Sequence, residues 1–130
     1  MRNSMILLLF LTVMLFAKPI RSDDRHLDTW YATYNHEYFQ DELPKNVVIT
    51  RNLTDDSFSA FTFYTDNWFH IAINPRLNID PGAEKMTLLH ESCHIYIAVT
   101  HEDNEPNNHG PKWQACMHRL ANENAFESLW

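Results

Sequence analysis

Glycine is nearly absent from this 130-residue chain: Gly82 and Gly110 are the two it has, so long flexible linkers are not encoded. Cysteine is as scarce. Cys93 and Cys116 are too far apart for a CxxC pair, which excludes a zinc ribbon and a disulfide-dense scaffold. Basic clusters are missing too. All seventeen acidic residues lie after Ser22, where seven Lys and Arg accompany them, giving residues 23–130 a formal charge of −10. A nucleic-acid binder normally carries a basic stripe that releases counterions from phosphates. Direct nucleic-acid binding is therefore not expected, and a neutral or basic macromolecule suits this surface better. No internal repeat, low-complexity tract or second-domain boundary interrupts the chain.

What is present is globular in character. Hydrophobic residues make up 45% and aromatics 13%, too much for a disordered chain and enough for one compact domain. One apolar run stands apart, from Met5 to Ala17 with only Thr12 polar, between Arg2 and Lys18-Pro19-Ile20-Arg21-Ser22. As a helix it would span about 20 Å, short of the roughly 30 Å hydrocarbon core of a membrane. Residues 1–22 thus read as a signal peptide or N-terminal hydrophobic leader, and 23–130 as the functional domain. The expectation is a secreted or periplasmic protein whose mature chain starts between Lys18 and Asp23. The alternatives are a membrane-anchored form, touching the membrane only through an uncleaved leader, and an intracellular form with a misassigned start. Asn52-Leu53-Thr54 is a glycosylation acceptor in a predicted turn if the chain enters a eukaryotic secretory pathway.

Trp30, Tyr31, Tyr34 and Tyr38 recur at helical spacing and predict a helix over 25–40, capped by Asp23 or Asp24 and closed by Leu43-Pro44. Val47–Thr50, Phe58–Thr65 and Trp68–Asn74 are rich in β-branched and aromatic residues and read as strands. Asp80-Pro81 is a helix start: the carboxylate caps free N–H groups and proline at the first position sacrifices none. That helix runs from Pro81 to about Val99, with Met86, Leu89, Cys93, Tyr96 and Ile97 toward the core. Gly110-Pro111 opens a third helix, buried along Trp113, Cys116, Met117 and Leu120. Each cysteine reads as a small buried hydrophobe, with a bridge between the two helices as the alternative. The fold class is α+β, three helices with a small, mainly antiparallel three-stranded sheet.

Residues 90–94 read His-Glu-Ser-Cys-His. On a helix, positions four apart differ by about 40° in direction and about 6 Å in height, so both imidazoles can meet one metal. Glu91 points about 100° away from His90, beside the ion, where a general base for a metal-bound water belongs. Zinc is the expected ion because imidazoles suit it and a three-ligand site leaves a fourth position open. His109, ending the polar loop before Gly110-Pro111, is the leading third ligand. Its competitors are His101, His118, Glu102 and Glu105, with His101 about 10 Å too far along if the helix continues. A structural zinc site is the bland alternative, but such a site has no need of a carboxylate at position 91.

Leu88-Leu89-His90-Glu91-Ser92-Cys93-His94, followed by His109-Gly110-Pro111-Lys112-Trp113 and His118-Arg119-Leu120, resembles the SprT-like family, the zincins that include SprT and Spartan. The likeness extends over roughly Leu27 to Asn124 and includes Tyr34-Asn35 through Leu43-Pro44. It implies a minimal zincin fold, metal ligands at His90, His94 and His109, and Glu91 as catalytic glutamate. In the Spartan branch it also implies proteolysis of proteins crosslinked to DNA. This sequence contains no four-cysteine ribbon and no basic extension, and it is acidic. The reading is therefore an exported zinc metallopeptidase, monomeric, hydrolysing protein or peptide substrates laid along Trp68–Asn74 as a sheet edge. Its alternatives are an intracellular protease acting on DNA-associated proteins and a non-catalytic zinc-binding module.

Overall fold

The computed structural model describes residues 25–101 and 109–127. Asp23 and Asp24, proposed as caps, and the apolar leader lie outside them. Three helices, α1 (Arg25–Phe39), α2 (Pro81–His101) and α3 (Pro111–Asn122), accompany three strands, β1 (Val47–Thr50), β2 (Ala60–Thr65) and β3 (Trp68–Ile73). No helix among the described residues is long and apolar enough to cross a membrane.

In α1 the buried line is Leu27, Tyr31 and Tyr34, within about 60° of one another at 100° per residue. Trp30, expected on that line, falls at its rim; it is 48% exposed and stacks on Tyr34. Gln40 and Asp41 adopt left-handed φ angles of 53° and 61° and turn the chain back. The returning segment is clasped to the helix. Buried Asn35 donates to the Leu43 carbonyl at 3.1 Å and accepts from the Leu43 N–H at 2.9 Å, while the Tyr31 hydroxyl donates to the Pro44 carbonyl.

The sheet has strand order β1-β3-β2. Asp66 and Asn67, both at positive φ, form a two-residue hairpin loop that pairs β2 antiparallel to β3. β1 pairs parallel to the other edge of β3, with Ile49 opposite Ile71. The sheet is therefore mixed rather than mainly antiparallel, and β3 is central rather than an edge. The reason lies in the connection after β1. It steps across the end of β3, where Leu53 N–H donates to the Ile73 carbonyl and Asn74 N–H to the Ser59 carbonyl, and enters on the far side. The outer strand beside α2 is β2.

α2 starts as its sequence dictates, with the Asp80 carboxylate accepting from the Ala83 N–H at 2.8 Å. It packs against α1, α3, β2 and β3. Its buried surface is wider than one stripe: Leu88, Leu89, Ile95 and Ile97 join Cys93 under cover, meeting Ile71 and Ile73 of the sheet and Leu120 of α3 in one core. Met86 and Tyr96 are half-buried at the margin. Cys93 and Cys116 are buried as expected but do not stand as separate hydrophobes; they are bonded to each other, 23 residues apart, across the α2–α3 contact.

Candidate metal centre

Two positions one turn apart on α2 and one position just before α3 bring three imidazoles together. The Nε2 atoms of His94 and His109 lie 3.3 and 3.0 Å from Nε2 of His90, and one ring nitrogen from each residue falls within 4.8 Å of the others. In a tetrahedral site with Zn–N distances of about 2.0–2.1 Å, ligand nitrogens stand about 3.3 Å apart, so the spacing suits a bound ion. Burial, reinforced by the neighbouring imidazoles, pushes His90 and His94 down to about 4. Both rings are then neutral at pH 7 with a lone pair to offer. The disulfide removes both thiols from the donor set, and the candidate ligand group among the described residues is His90, His94 and His109.

The competitor His118 sits on the exposed side of α3 and does not join this group. Glu102, Glu105 and the side chain of His101 lie outside the described residues.

Two contacts fix the start of α3 against α2, and a third ties His109 to α3. The indole N–H of Trp113 donates to the His90 carbonyl at 3.2 Å, and its ring lies 4.4–5.6 Å, centroid to centroid, from all three imidazoles. Gln114 donates through its side-chain amide to the His109 carbonyl at 2.8 Å. The Cys93–Cys116 bond closes the same contact one turn further along each helix. Trp113 was legible in the sequence as a core residue; its hold on the imidazoles was not.

Glu91 occupies the α2 face turned to the sheet. Its side chain is buried, and burial raises its pKa, offset in part by a hydrogen bond from Thr62 Oγ1 to Oε2 at 2.5 Å. Nothing in the sequence pointed to Thr62. An open cleft of about 590 Å³ runs past these groups, with β2 on one wall and Met86, Glu91 and the imidazoles on the other. That volume accommodates a short peptide segment.

The wall formed by β2 is pinned at its first residues. Buried Asn78 donates to the Ser59 carbonyl at 3.0 Å and to the Asn74 carbonyl at 2.8 Å, and accepts from Thr87 Oγ1 of α2 at 2.6 Å. Asn74 similarly holds Asp55 and Asp56. Among the described residues, no buried side-chain nitrogen or oxygen lacks a partner.

The sequence model of the SprT-like family matches residues 27–128. A 47-residue stretch, 35% of the chain, is 40% identical to the DNA-dependent metalloprotease dvc-1 of Caenorhabditis elegans, of which it covers 13%. The likeness thus spans a small fraction of that protein's length.

Proposed function

The chain belongs to the SprT-like family, and from that premise we propose that it is a zinc-dependent peptidase in which His90, His94 and His109 hold the metal and Glu91 is the general base. The observation that carries this reading is the meeting of three imidazole nitrogens within 4.8 Å of one another on a cleft that a buried glutamate also lines. His90, His94 and His109 would hold a zinc ion there, and its Lewis acidity would polarise a carbonyl and activate water.

The protein's own groups do the rest. His90, His94 and His109 leave one side of their cluster toward the cleft, where a scissile carbonyl can lie. Glu91 takes the proton that the attacking water loses and returns it to the leaving amine, and its raised pKa suits both halves of that exchange. Substrate is assigned to the outer edge of β2, where an extended peptide can add main-chain hydrogen bonds. Trp68–Asn74, the edge expected from sequence, contains β3, which is interior to the sheet and paired on both sides.

The test is metal analysis of the purified domain together with digestion of a broad peptide library. Zinc-dependent cleavage, abolished in Glu91→Gln with metal content unchanged, is the expected result. Metal binding with no turnover would turn the chain into a zinc-binding module. A second reading, proteolysis of DNA-associated proteins, is favoured by the name of the nematode relative. Cleavage that rises on adding DNA would support it.

Export is part of the proposal. The Cys93–Cys116 bond is of a kind that persists in oxidising compartments, which agrees with an apolar leader at Met5–Ala17. N-terminal sequencing of protein from its native host checks this: a mature chain starting between Lys18 and Asp23 is expected, and active cytosolic protein retaining Met1 would refute it.

A further inference from the structure

We propose that Thr62 is a positioning residue for Glu91, one that ties the general base to the strand along which substrate lies. The inference rests on the role given to Glu91 above.

Thr62 sits in the middle of β2, opposite Ile71 in the antiparallel register and on the sheet face turned toward α2. Its hydroxyl donates to Glu91 Oε2 at 2.5 Å, the one side-chain hydrogen bond to that carboxylate among the described residues. Glu91 is 5% exposed, so water does not replace this partner freely. A glutamate has three rotatable side-chain bonds, and a general base must present one oxygen within about 3 Å of the proton it takes. Anchoring Oε2 leaves Oε1 for that task.

The anchor itself is stiff. Thr62 is β-branched and lies in a paired strand, and the start of that strand is fixed to α2 through Ser59, Asn78 and Thr87. The residues flanking Thr62, Phe61 and Phe63, turn to the opposite face and are 46% and 43% exposed. A threonine between two phenylalanines is thus the side chain that this strand sends inward at the base. An apolar residue there would have filled the cleft wall equally well but could not have held the carboxylate. Substrate adding to the β2 edge would order the same strand, so docking and base orientation share one element.

The experiment compares Thr62→Val, which keeps the shape and loses the donor, with Thr62→Ser, which keeps the donor, and with Glu91→Gln. Casein cleavage, zinc content and the side-chain carboxyl carbon resonance of Glu91 in the metal-free protein are measured for each. Thr62→Val should lower kcat about 10–100-fold, the range typical of groups that orient a reacting residue, with KM and zinc content unchanged. Thr62→Ser should return most of that loss. The Glu91 resonance should move in Thr62→Val and return in Thr62→Ser.

If Glu91→Gln is inactive but Thr62→Val retains full kcat, or loses activity only together with zinc or KM, the positioning role is wrong and the general-base reading stands. An active Glu91→Gln, or no cleavage by the wild-type chain, would take down both. Should Thr62→Val fail to fold, Thr62→Ala and the resonance measurement decide in its place.

Discussion

The two walls of the cleft are fastened by different means. On the α3 side, a disulfide and an indole hydrogen bond join two helices beside the cluster of three imidazoles. On the β2 side, the fastening is by neutral hydrogen bonds: Thr62 to Glu91, and Asn78 to Ser59, Asn74 and Thr87. The first set tolerates little displacement. The second is built of bonds each worth about 1 kcal/mol net and borders the edge of β2, which has no strand partner among the described residues. Under the proposed function the contrast becomes a division of labour, with metal placement on the covalent wall and substrate handling on the hydrogen-bonded one. Changes on one wall should then leave the other's readout alone.

The largest effect is expected where the walls meet. Glu91→Gln should lower kcat by about 10³-fold, within the range of general acid–base catalysis, while zinc content stays at wild-type level. The α3 wall comes next. His109→Ala removes one of three nitrogens, so bound zinc should fall sharply in metal analysis after dialysis. A full equivalent retained by this variant would mean that the third ligand lies elsewhere.

Breaking the covalent fastening tests the same wall without touching a ligand. A bond closing a loop 23 residues in separation restricts the unfolded chain by about 3 kcal/mol. Cys93→Ser combined with Cys116→Ser should therefore lower Tm by more than about 10 °C in a domain of this size. Competition with a chelator should also show weaker zinc retention, because Cys93 lies between His90 and His94 and Cys116 on the helix that follows His109. A melting point lowered with zinc retention unchanged would confine the disulfide to stability.

The walls also differ in how far the sequence disclosed them. The helix bearing His90, Glu91 and His94 was legible because its signals are local: Asp80-Pro81 caps it and the histidines repeat at helical spacing. Gly110-Pro111 announced α3 for the same reason. The strands were found within two residues, yet their arrangement was not, since nothing near Val47 encodes that it pairs parallel to β3. Hydrophobic alternation misleads on β2 as well. It would turn Phe61 and Phe63 inward, whereas the structure sends Ala60 and Thr62 toward α2 and leaves Phe61 and Phe63 exposed at the rim of the cleft. The clasping roles of Asn35, Asn74 and Asn78 are not legible in sequence because a buried amide looks like a turn residue until its partners are known. The disulfide was left open because two cysteines on apolar stripes pack equally well unbonded.

The smallest expected effect sharpens the comparison from the β2 side. Asn78 lies just before α2 and is 6% exposed, with its amide nitrogen on two carbonyls and its amide oxygen receiving the Thr87 hydroxyl. Asn78→Ala would strand these partners, the Ser59 carbonyl at the start of β2 among them. Unsatisfied buried groups cost about 1–3 kcal/mol, so a loss of about 2 kcal/mol in urea unfolding is expected. The loosened segment includes the first residues of the proposed substrate edge but none of the imidazoles. KM for an extended peptide should therefore rise by a few-fold while zinc content and chelator resistance stay at wild-type values. The disulfide variant should show the reverse pattern, weaker zinc with KM little changed. If Asn78→Ala releases zinc as readily as it raises KM, the two walls act as one body and the proposed division between metal placement and substrate handling fails.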